Sequence, residues 1–206
     1  MIPIYAGILT GLTGILTAAQ PSGIPEAPDL PERPGIIVIV GVDSYSVDGR
    51  RFRHAVEAIE AARPYSPPSE TQFGINYGYG AAEVEAGCLA TGLELTVTLD
   101  QVYPRWSGYG EASGMSQRRW DELLQQRRDH ETGHARLAVH AAELIHADLG
   151  DLGVQPDCDQ LQSRVDGALR AALSRLNRWQ NRYDSATGNG DRQSGFDIDD
   201  YIASLD

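Results

Sequence analysis

The chain has 206 residues, 41% of them apolar and 22% charged, which suits one domain with its own core plus flanking segments and does not force a second domain. Acidic residues outnumber basic ones 29 to 17, for a formal net charge of -12. That balance argues against nucleic-acid phosphates and anionic membrane surfaces as partners. The two cysteines, Cys88 and Cys158, permit one disulfide without demanding it.

The chain opens with an apolar run from Ile4 to Ala19, closed by Gln20-Pro21-Ser22-Gly23. It is short for a membrane span, and its length and small-residue exit resemble the apolar part and cleavage zone of a secretory signal, although no Lys or Arg precedes it. Residues 1–20 are therefore read as a signal peptide or an N-terminal apolar segment. A secreted or periplasmic location follows, with no stable membrane insertion after processing. In an oxidising compartment a Cys88–Cys158 disulfide is expected. Residues 21–35 carry Pro21, Pro25, Pro28, Pro31 and Pro34 and read as an extended linker.

The folded domain is expected over 36–190. Ile36 to Val42 is β-branched almost throughout and predicts a strand that Tyr45 to Val47 continues, before an Asp48-Gly49 turn. Phe52, Val56 and Ile59 mark a short helix. Thr71 to Tyr79, with Phe73, Ile75, Tyr77 and Tyr79 alternating with small or polar residues, predicts a half-buried strand. Leu93, Leu95, Val97 and Leu99 alternate with Glu94, Thr96, Thr98 and Asp100, a period of two with one wet face, which predicts an antiparallel strand near an edge. Gly-rich residues 107–114 read as a connector or a mobile flap.

Two long helices follow. Trp120, Leu123, Leu124, Arg127, Glu131, His134, Ala138, Ala141 and Ile145 recur at intervals of mostly three and four, marking one face of a helix from Ser116, its candidate N-cap, to Leu149, with Gly150 as its stop. Leu161, Val165, Leu169, Ala172, Leu176, Trp179 and Tyr183 mark the second, with Pro156 in its first turn and its end before Gly188. Residues 191–206 read as a loose acidic tail. The fold class is α+β, a small, mostly antiparallel sheet packed against two long helices.

The first of these helices carries His130-Glu131-Thr132-Gly133-His134, an H-E-x-x-H segment. At about 100° and 1.5 Å per residue, positions four apart stack one turn over another, so both imidazoles reach one metal ion. Glu131, one step on from His130, points beside that ion, where a bound water needs a proton acceptor. This is the signature of a zincin-like metallopeptidase, with Zn2+ as cofactor, Glu131 as general base and a peptide or protein as substrate. Two imidazoles and a carboxylate also suit iron.

The chain resembles a bacterial family known as domain of unknown function 922, a group of predicted secreted zinc-dependent proteases. The resemblance spans roughly Tyr45 to Gly195. It rests on Tyr45-Ser46-Val47-Asp48-Gly49, Cys88 ahead of the Leu93 strand, Tyr103-Pro104-Arg105-Trp106, Trp120 with the H-E-x-G-H helix, a cysteine early in the next helix, and Tyr183-Asp184-x-x-Thr187. The family pattern ends in a histidine where this chain has Asn189, so an imidazole the resemblance implies is replaced by a neutral amide.

A catalytic zinc takes three protein ligands and leaves one position open. Asp184 is the candidate third ligand, set against a role as a helix-end cap. Tyr183 is a candidate for polarising a substrate carbonyl, set against packing at the helix end. His140 stands at the third-histidine interval of the metzincins, but Leu137 occupies the place of their turn-making glycine, so the helix continues and His140 rotates about 120° away. His140 and His146 therefore read as surface or packing residues, and Glu143 as off-face. The alternative is a non-catalytic exported binding or envelope protein with a structural or degenerate metal site; weaker still is a cytosolic protein without metal.

Overall fold

A computed structural model describes residues 25–62 and 69–205. The apolar N-terminal run read as a signal segment lies outside the described residues. In chain order the elements are β1 (Ile36–Val47), α1 (Phe52–Ala62), β2 (Glu70–Val84), β3 (Gly87–Trp106), α2 (Gly114–Gly150), α3 (Cys158–Thr187) and α4 (Ile198–Ala203). The fold is α+β, but its sheet is mixed rather than mostly antiparallel. The strand order is β1-β3-β2, with β3 parallel to β1 and antiparallel to β2.

This order corrects one expectation. The Leu93 to Leu99 segment lies in β3, flanked on both sides, and is the centre of the sheet rather than an edge. Its alternation is real: Leu95, Val97, Leu99 and Tyr103 are fully buried on the helix-facing side. A period of two reports that one face is wet, and it carries no information about whether the backbone edge is paired. Among the described residues β2 is an edge strand, and its odd-numbered residues Thr71, Tyr77 and Tyr79 reach α2 and α3 by hydrogen bonds.

α2 packs against both the sheet and α3. Ala135, Ala138, Ala141 and Ala142 are almost wholly buried along its contact face, and small side chains there let sheet and helix backbones approach closely. Across from them α3 buries Leu161, Val165, Leu169, Ala172, Leu176, Trp179 and Tyr183, the stripe its three-and-four spacing predicts. A second cluster of Val47, Ala55, Ile59, Trp106, Trp120 and Leu124 closes the end near α1. The Gly-rich stretch is a short connector here, with a 3-10 turn at Tyr109–Glu111 and the Trp106 indole donating to the Gly49 carbonyl.

The helix ends differ slightly from expectation. The Ser113 side chain, not Ser116, caps α2, accepting from the Ser116 amide. Asp157 caps α3 and accepts from the Gln160 amide, so Pro156 precedes the helix. The larger correction concerns the C-terminal segment, which is not a loose tail. Phe196, Ile198, Tyr201, Ile202 and Leu205 pack against the main core, and Arg136 ties Asp199 of α4 to α2. The apolar positions from Ile198 to Leu205 repeat at three and four, a period masked by the acidic residues between them. The linker also docks: Leu30 packs on the core and Arg33 pairs with Glu143.

Cys88 and Cys158 form a disulfide across a sequence separation of 70. It joins the start of β3 to the start of α3, beside reciprocal backbone hydrogen bonds between Cys88 and Gln155. Gly87 sits at φ 135°, and a Cβ there would meet the Gln155 carbonyl oxygen at 2.0 Å, so glycine is required for this approach. Closing a loop of that length removes about 4 kcal/mol of unfolded-chain entropy. The Cys88→Ser/Cys158→Ser variant is expected to lose stability of that order in urea melts. A loss below about 1 kcal/mol would show that the backbone pair alone holds the junction.

Candidate metal centre

The H-E-x-x-H segment lies in the middle of α2, where the helix is covered by the sheet on one side and by the end of α3 on the other. His130 and His134 face α3, and Asp184 comes back to meet them from the last turn of that helix. The two Nε2 atoms are 3.1 Å apart. Asp184 Oδ1 lies 3.3 Å from His130 Nε2 and 3.0 Å from His134 Nε2. A tetrahedral zinc with ligands at about 2.0–2.1 Å spaces its donors about 3.3 Å apart, so this triangle has the dimensions of one face of such a site.

The outer nitrogens explain why the inner ones converge. His134 Nδ1 is hydrogen-bonded to Gln180 Oε1, and the Gln180 amide is oriented by donating from Nε2 to the His134 carbonyl at 3.1 Å. An amide oxygen only accepts, so Nδ1 of His134 carries the proton and Nε2 presents a lone pair. His130 Nδ1 lies 3.3 Å from both Gln193 Oε1 and Thr187 Oγ1. A proton competes for the same space. Burial pulls the His134 imidazole down, but the Asp184 hydrogen bond, the Glu131 charge and Gln180 together raise it above its ordinary value. Burial pushes Asp184 up, yet its hydrogen bonds to both imidazoles hold the carboxyl well below the usual carboxylate range.

Glu131 faces the other way, towards the start of β2, and is 2% exposed. Ser69 Oγ donates to Oε1 at 2.5 Å and Thr71 Oγ1 donates to Oε2 at 2.7 Å. A buried carboxylate without donors would be costly, and these two hydroxyls satisfy it. Gln101 from β3 donates to the Glu131 backbone carbonyl at 3.2 Å, and Tyr103 in turn donates to Gln101 at 3.2 Å. Helix α2 is thereby tied to the sheet at Glu131.

Tyr183 does not open onto this groove. It is fully buried, its ring stacked on His130 with centroids 5.0 Å apart and 12° between planes. Its hydroxyl donates within 3.1 Å of the His130 carbonyl and of Gln193 Oε1. The sequence-based role at a substrate carbonyl gives way to a positioning role. Gly133 makes this possible, because a Cβ there would lie 2.1 Å from the tyrosine oxygen. His140 is rotated off the site, packed on Trp179 at 5.5 Å, and His146 sits under Gly35.

His130, Glu131, His134 and Asp184 line an open groove, with Phe73 and Arg127 in its walls. Asn189 also lines it, at φ 53°, while its backbone carbonyl accepts from Arg127 Nη1 at 2.7 Å. Arg127 Nη2 pairs with Asp191 at 3.0 Å. The sequence reading missed Ser69, Thr71, Gln180 and Gln193. Gln180 stands four residues before Asp184, on the same helix face, and that spacing is a readable signal. Gln193 had none, being one polar residue in a polar segment.

What fold and site define together is an α+β domain with a three-donor cluster of the metal-binding type, two histidines from α2 and a carboxylate from α3. The chain belongs to the family described as Bacterial protein of unknown function (DUF922), whose family model matches residues 42–191, more than half of the chain. No curated protein matches the chain, and no solved structure does.

Removing the Gln180 side chain frees the His134 ring to rotate and lets its proton move to Nε2. Gln180→Ala is expected to weaken zinc affinity about 10- to 100-fold, measured by competition with a chromogenic chelator. Unchanged affinity would show that the ring is held by packing alone.

Proposed function

We infer that this protein is a zinc-dependent peptidase with a zincin-like active-site helix, working on peptide or protein substrates outside the cytoplasm. The observation that carries this reading is the three-donor triangle of His130, His134 and Asp184 opening into a groove with the buried Glu131 carboxylate beside it. Three protein ligands and an open side fit a catalytic site, whereas a structural zinc takes four protein ligands. Among the described residues, the His, Cys, Asp and Glu cluster at this place holds three.

When bound, zinc would acidify water and polarise a carbonyl as a Lewis acid. Glu131 accepts the proton of the attacking water on a carboxylate oxygen and later delivers it to the leaving amine. Ser69 and Thr71 keep that carboxylate aimed while it changes charge. The substrate backbone pairs in extended form along the free edge of β2, which leads from Thr71 and Phe73 into the groove, and Phe73 offers an apolar wall for a side chain. The Leu93 to Leu99 segment, read from the sequence as near an edge, is paired on both sides and offers no such edge.

An exported location is supported by the disulfide, which persists in oxidising compartments. Among the described residues no helix is long and apolar enough to cross a membrane. The competing reading, a non-catalytic exported protein with a degenerate metal site, draws on Asn189, which puts a neutral amide in the groove wall where the family pattern has histidine.

Glu131→Gln is expected to keep the fold and the zinc affinity while lowering kcat about 10²- to 10⁴-fold on a quenched peptide library. Equal turnover by parent and variant would remove Glu131 from the mechanism. No turnover by the zinc-loaded parent across the library would favour the non-catalytic reading.

A further inference from the structure

At the other end of α2 the charge balance of the molecule inverts. The chain carries 29 acidic residues against 17 basic ones, yet the groove between the starts of α1 and α2 is walled by Arg50, Arg51, Arg53 and Arg119, with Glu111 as its one acidic residue. Arg53 makes an exposed pair with Glu57 at 3.4 Å. The guanidinium groups of Arg50, Arg51 and Arg119 have no side-chain partner among the described residues. These arginines come from two separated parts of the sequence, the turn after β1 with the first turn of α1 and the beginning of α2, and only the fold brings them together.

We propose that this groove is a binding site for an oligoanionic ligand, a saccharide or headgroup carrying two or more sulfate or phosphate groups. Like charges gathered in one concavity repel, and an anion between them relieves that repulsion and raises local ligand concentration. A guanidinium offers a planar fork of donors that matches an oxyanion, so several forks converging on one groove favour a ligand with several such groups over a single ion. The groove is open, with Ser113 and Ser116 on its wall and little apolar lining beyond Phe52 and Ala112. That lining suits a charged, hydroxyl-rich group and offers no recess for an acyl chain. The site lies apart from the His130 cluster and shares no residue with that groove.

The test is a calorimetric titration of the full chain with sucrose octasulfate, whose sulfates are poor zinc ligands. A parallel arm follows sedimentation with phosphatidylglycerol vesicles against phosphatidylcholine vesicles. The parent is expected to bind the octasulfate saturably. Arg51→Ala/Arg119→Ala should weaken binding at least about tenfold, while Arg164→Ala/Arg170→Ala, an equal charge change on exposed α3 positions, should leave it unaltered. Chemical shifts of the arginine side chains in the parent provide a second readout that needs no variant, with Arg50, Arg51 and Arg119 expected to move. Vesicle binding lost in the same variant would assign a membrane-borne headgroup, and octasulfate binding without it a soluble glycan. No binding by the parent in either arm, or equal loss in both double variants, would overturn the proposal.

Discussion

Two imidazole nitrogens and a carboxylate oxygen meet within 3.3 Å of one another at the junction of α2 and α3. Two lone pairs and a negative charge do not converge without a cation or a proton to bind them. The flanking packing serves that convergence. Gly133 lets Tyr183 reach the backbone of α2, and the tyrosine ring supports His130 from behind. The C-terminal segment then returns over the same place, where Phe196 and Tyr201 pack on Tyr183 and Gln193 reaches His130. Burial pushes the Tyr183 hydroxyl up from its ordinary value, so it stays a neutral donor at any working pH.

The sheet supplies the second half of the site. β2 and the residue before it bring Thr71 and Ser69 to the carboxylate of Glu131, and β3 brings Gln101 to its backbone. The two long strands are anchored at their far end by the disulfide and the Cys88–Gln155 backbone pair. The β2–β3 hairpin thus connects the start of α3 to the hydroxyls on Glu131, and the groove is assembled from elements that are each fixed elsewhere. Support of this kind from outside a site is what holds its side chains in one geometry.

Much of this was legible in the sequence, and the failures have physical causes. The apolar periods located α2 and α3 because each buries a continuous stripe, and the H-E-x-x-H spacing placed His130, Glu131 and His134 by helix geometry alone. Asp184 carried two readings in the sequence, a ligand or a helix-end cap, and the fold brings its carboxylate against both imidazoles. Strand order was not, because alternation in β3 records burial of a face and is silent about neighbours. The C-terminal segment was misread because acidic residues hid the apolar repeat from Ile198 to Leu205. The hydroxyl clamp on Glu131 was hidden for another reason: Ser69 and Thr71 are ordinary residues around the start of a strand, and only the contact with α2 gives them a buried carboxylate as partner.

Metal content reads the three-donor cluster itself. About one zinc per chain is expected by mass spectrometry on protein purified without chelator or affinity-tag metal, because three donors converge on one place. His134→Ala and Asp184→Ala should each lose that zinc while retaining the parent's circular dichroism. Metal-free parent protein that does not take up zinc on titration, or folded variants that keep it, would contradict the site described here.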